Sequence, residues 1–65
     1  MIPVTKDDII KDAASRGYTV WANVDYEGMA RNILDRLRNT WPKTDPSLGL
    51  MPDDTWVIWY NPSKL

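Results

Sequence analysis

The chain contains no cysteine and no histidine. The first absence excludes disulfides and thiolate metal sites, and the second removes the commonest remaining ligand, so no metal or haem cofactor is expected. A nucleophilic triad or dyad built on histidine or cysteine cannot be assembled either, and Ser15, Ser47 and Ser63 have no suitable base beside them in sequence. Glycine is scarce, at positions 17, 28 and 49, so neither GxGxxG nor GxxxxGK[ST] occurs and no phosphate cradle is visible. No apolar run approaches the ~18 residues of a membrane span. Met1-Ile2-Pro3-Val4-Thr5 lacks the basic start and apolar stretch of a secretory signal, and the expected compartment is the cytoplasm. The ending Ser63-Lys64-Leu65 spells a peroxisomal address, which acts only at a free C-terminus in a eukaryote; chance is the preferred reading of so short a motif.

What the chain does have is aromatic mass. Its 65 residues make one folding unit, expected over 1–65, and include four tryptophans and three tyrosines. A chain this short buries only about 60% of its unfolded surface. Dense aromatic packing or self-association must therefore offset the cost of ordering it. The net charge of −1 argues against a strong non-specific grip on nucleic acid.

Patterning predicts a small α+β domain in the order β-α-β-α-β, two helices on one face of a two- or three-stranded sheet. Ile2-Pro3-Val4 is a doubtful first strand, because Pro3 cannot donate to a ladder. Thr5 followed by Lys6, Asp7 and Asp8 reads as an N-cap with acids facing the helix dipole, and Ile9, Ile10, Ala13 and Ala14 recur at helical spacing until Gly17 stops the run. Tyr18 to Val24 is β-branched and aromatic and reads as a strand with Tyr18, Val20, Ala22 and Val24 on one face and Thr19, Trp21 and Asn23 on the other. Asp25 is positioned to cap a second helix, whose stripe Ala30, Ile33, Leu34, Leu37 and Trp41 ends at Pro42. Residues 42–54 read as one long Pro-rich loop. Thr55 to Asn61 is the most strand-like segment and is apolar on both faces.

That last property drives the functional expectation. With both helices on one face, aromatics on the other would meet solvent or a partner. The expected function is a small non-enzymatic protein-binding module, an inhibitor, adaptor or small subunit, with a phage or mobile-element origin suited to so compact a chain. The expected binding residues are Trp21, Trp56, Trp59 and Tyr60 on the strands and Leu48, Leu50 and Met51 in the loop. The same patches would serve a homodimer. The alternative is a nucleic-acid-associated protein using Arg31, Arg36 and Arg38 on the second helix, although Asp35 is spaced to pair with Arg31 and Arg38. A third reading gathers Asp25, Asp53 and Asp54 into a carboxylate site for Mg²⁺ or acid-base work, which requires the last strand to run antiparallel to the second.

Overall fold

The computed structural model describes residues 5–64, so the doubtful strand at Ile2-Pro3-Val4 lies outside the described residues. Helix α1 runs Lys6–Ser15 and opens with a reciprocal capping box: the Thr5 hydroxyl accepts from the Asp8 amide, and the Asp8 carboxylate accepts from the Thr5 amide. Gly17, at φ 89°, follows the helix in the left-handed region that a side chain would resist. Strand β1, Thr19–Val24, leads into helix α2, Glu27–Thr40. The N-cap of α2 is Tyr26, with no side-chain cap bond, so Asp25 does not take the capping role expected of it. At its other end the Trp41 amide closes on the Leu37 carbonyl, and Pro42, which has no amide to donate, stops the helix.

The segment 42–54, expected as one loop, is built differently. A short 3-10 turn, Pro42–Thr44, is followed by strand β2, Ser47–Leu50, which pairs antiparallel with strand β3, Trp56–Tyr60. The two are joined by a tight hairpin in which the Asp54 amide donates to the Met51 carbonyl and the Met51 amide to the Thr55 carbonyl. Asp54 sits at φ 65°, the left-handed position that a three-residue hairpin loop requires.

The described sheet has three strands in the order β1-β3-β2, antiparallel throughout, so β3 is central. Its two apolar faces follow from that position. Residues directly opposed across a ladder point to the same side. Ala22, Ile58 and Leu48 therefore share one face, as do Val24, Trp56 and Leu50, and Val20, Trp59 and Ser47 share the other. Helix α2 covers the Ile58 face, where Ala30, Leu37 and Ile58 form the buried core with Ala22, Val24, Ile33, Leu34, Leu48, Trp56 and Tyr60 packed around it. Fully burying Ile58 or Leu37 contributes roughly 1.5–3 kcal/mol each.

Helix α1 lies against the opposite face, where Ile9 and Ala13 stand around a shallow cleft with Trp59 and Ser47. The two helices thus do not share a face. The expected single helical face is corrected by the alternation along β3: α2 packs on the side of Ile58 and α1 beside Trp59, the next residue. Val57, on the α1 side, is only 1% exposed. The anchorage of α1 is largely polar: no α1 residue is buried, while the Lys6 ammonium donates to Asn23, to Thr55 and to Asp53 at 3.1 Å. No helix among the described residues is long and apolar enough to cross a membrane.

Candidate functional site

One irregularity in β1 organises a cluster of three aromatic rings. The β1–β3 register slips between Val20, opposite Trp59, and Ala22, opposite Ile58, leaving Trp21 as the extra residue of a β-bulge. The bulge reverses the alternation. Val20 stays on the α1 side, Ala22 and Val24 turn to the α2 side, and Trp21 joins them there. Its ring meets Tyr60 edge-on, with centroids 5.2 Å apart and planes at 84°. On its other side it meets Trp41 at 5.5 Å and 59°. The sequence alternation had grouped Tyr18, Val20, Ala22 and Val24 on one face and set Trp21 on the other; the bulge overturns that grouping.

Trp21, Trp41, Ile33, Arg36, Leu37 and Thr40 enclose a cleft of 290 Å³ between the edge strand and the second half of α2. The two indoles, tilted against each other, remain substantially open, Trp21 at 42% and Trp41 at 39% exposure. Arg36 stands at the rim and enters no ion pair among the described residues, which leaves its guanidinium available to an incoming group. Trp41 was read from sequence as helix stripe. Because α2 ends at it, its ring projects past the last turn toward β1, and the adjacent Pro42 was the available signal.

The expected protein-binding residues do not form one patch. Trp21 and Tyr60 belong to the cleft region, whereas Trp59 points to the α1 side and is half-buried. Leu48 and Leu50 lie on β2 at the far edge of the sheet, Leu48 half-buried and Leu50 exposed. Trp56 is half-buried against the core. Met51 is not a surface residue; it is 3% exposed where the hairpin closes.

The arginine face is likewise divided. Arg31 pairs with Glu27 at 2.9 Å, one turn earlier, and not with Asp35. Arg36 turns to the cleft, and Arg38 is exposed near the end of α2.

The antiparallel condition for a carboxylate cluster is met, since Val24 lies opposite Trp56, yet no group of three metal-ligating side chains forms among the described residues. Asp53 is occupied otherwise. Its carboxylate accepts from the Thr55 amide and hydroxyl and from Lys6, and the Thr55 hydroxyl bond is the main cause holding its pKa below the ordinary value, with Lys6 assisting and partial desolvation opposing. Tyr18 donates its hydroxyl to Asp45 at 2.7 Å, and that bond, aided by the carboxylate charge, raises the phenol pKa. The first ties the β2–β3 hairpin to the start of α1, and the second ties the residue before β1 to the turn before β2.

No protein family, no curated protein and no solved structure matches the chain.

Proposed function

We propose that the chain is a small non-enzymatic protein-binding module that receives an apolar side chain of its partner in the cleft between Trp21 and Trp41. The observation that carries this reading is the pair of open indoles held in fixed orientation by each other, by Tyr60 and by the end of α2. Tryptophan and arginine are the residue types that concentrate binding energy at interface centres, and a ring already fixed in place loses little entropy on binding. Here two tryptophans and Arg36 line one small cleft.

Affinity capture from the source cell, with purified wild-type chain and the Trp21→Ala and Trp41→Ala variants as baits, tests the reading. The expected result is a partner retained by wild type and lost by both variants while their far-ultraviolet dichroism stays native. Retention of the same partners by both variants would remove the cleft from consideration.

A second reading keeps nucleic acid as the occupant, favoured by one observation: Arg36 stands beside the two indoles, so a base could stack while its phosphate met the guanidinium. The net charge of −1 and the Arg31–Glu27 pair weigh against it. Retention of single-stranded oligonucleotides that weakens steeply with salt and falls in Arg36→Ala would support this second reading over the first.

A further inference from the structure

The two edges of the sheet are built differently. Strand β1 carries the bulge at Trp21, a device that twists an edge away from further pairing. Strand β2 carries neither bulge nor charge nor internal proline over Ser47-Leu48-Gly49-Leu50; its shortness is its main protection. Its outer side also shows the second most open large apolar side chain among the described residues, Leu50 at 57% exposure.

The hydrogen-bond phase of the hairpin fixes which groups that edge presents. Met51 donates to the Thr55 carbonyl, so 51 and 55 are a hydrogen-bonded pair, and the alternation makes Gly49 with Val57 and Ser47 with Trp59 the next two. Ser47 and Gly49 thus point their backbone groups inward at β3. Leu48 and Leu50 point theirs outward, where no described strand lies.

We infer that the β2 edge pairs with the β2 edge of a second copy of this chain, antiparallel, about a two-fold axis through Gly49. That register sets Leu48 opposite the partner's Leu50 and Leu50 opposite the partner's Leu48. The outward N–H and C=O groups of both leucines are then satisfied in hydrogen-bonded pairs, four bonds in all, with Gly49 facing its own counterpart in the non-bonded position between them. All four leucine side chains fall on the α2 side and cover one another, including the exposed Leu50. In a two-fold interface groups on the axis meet their own copies and all other contacts are reciprocal, so a charge on so short a strand would lie close to its twin; β2 contains none. A strand of four residues is a short contact beside interfaces of ~1,200 Å² and above, where specific stable association begins, which fits a weak dimer formed at micromolar or higher concentration rather than an obligate one.

Sedimentation equilibrium on the full chain from low micromolar to millimolar concentration, with amide exchange read residue by residue over the same series, tests the inference. The expected result is a monomer-dimer equilibrium in which the Leu48 and Leu50 amides become protected as concentration rises, and which Leu50→Lys weakens at least about tenfold with native dichroism. Leu50→Glu is the second variant should the lysine disturb the fold, and the wild-type exchange data stand without either. A monomer at all concentrations, unchanged exchange at Leu48 and Leu50, or a dimer lost in Trp21→Ala but kept in Leu50→Lys would overturn it. Partner capture through the cleft is expected to survive Leu50→Lys, so the two readings fail separately.

Discussion

The indole of Trp21 meets the indole of Trp41 at 5.5 Å between centroids with 59° between the planes, one ring supplied by an edge strand and the other by the residue that ends a helix. Twenty residues apart in sequence, they meet because the bulge turns Trp21 toward α2 and Pro42 frees Trp41 from the helical stripe. Tilted pairs at this distance contribute about 0.5–1.5 kcal/mol beyond simple burial. A double-mutant cycle with Trp21→Ala and Trp41→Ala, followed by urea unfolding, should return a coupling in that range; additive losses would mean the rings are neighbours without interaction.

Glycine should be the more stable residue at two backbone positions, so introducing it at one and removing it at the other should have opposite signs. Asp54 holds a left-handed conformation at φ 65°, so Asp54→Gly should stabilise the hairpin by up to about 1 kcal/mol. Gly17 already holds φ 89°, and Gly17→Ala should destabilise by about 1–2 kcal/mol. Midpoints of chemical unfolding measured for both variants decide the matter, and equal signs would contradict the turn geometry.

The pH dependence of stability follows from two hydroxyl-carboxylate bonds. The lowered pKa of Asp53 means that its contribution is present above its unfolded value of about 4 and is lost as pH falls through the folded value. The raised pKa of Tyr18 means that its contribution is present below about 10 and is lost as pH rises through the folded value. Asp53→Asn should therefore flatten the acid limb of a stability-pH profile, and Tyr18→Phe the alkaline limb. A Tyr18→Phe profile that still falls as steeply in alkali would show that the bond to Asp45 is not its cause.

Helix α1 should open before the rest of the molecule. It buries no residue fully and is tied at its first turn by Lys6, whereas α2 and β3 hold the buried core. Native-state hydrogen exchange should release α1 amides at a lower free energy than those of Leu37 or Ile58. Lys6→Met should lower protection in α1 while leaving α2 unchanged; uniform loss across the chain would place α1 in the global unfolding unit.

Much of this fold was written locally. The Thr5–Asp8 cap, the stop at Gly17, the Ala30-Ile33-Leu34-Leu37 stripe and the β-branched aromatic runs each declare an element within a few residues, and the small α+β class with its two helices follows from them. Strand β2 was not legible because Ser47-Leu48-Gly49-Leu50 has little strand propensity of its own and becomes extended by pairing with β3. The position of Trp21 was not legible because a one-residue slip in register leaves no mark on composition, yet it exchanges faces for everything on one side of it. The two apolar faces of Trp56 to Tyr60 belong to a central strand with a helix on each side, where the sequence reading put both helices on one face and left the other to solvent or a partner. Of the candidate site, the sequence marks Trp21 as a strand aromatic and Arg36 as a helix-face cation, while the helical spacing of Trp41 points to packing alone.

The bulge at Trp21 also sets a limit on growth. A sheet open at both edges can add copies without end, as fibrils do, but a sheet whose one edge is distorted can extend only through the other. Any chain-to-chain pairing through β2 then uses up the regular edge of both copies at once and leaves two distorted margins facing outward. The same extra residue that opens an aromatic cleft thereby bounds any such pairing, and its deletion would leave the sheet with two regular edges.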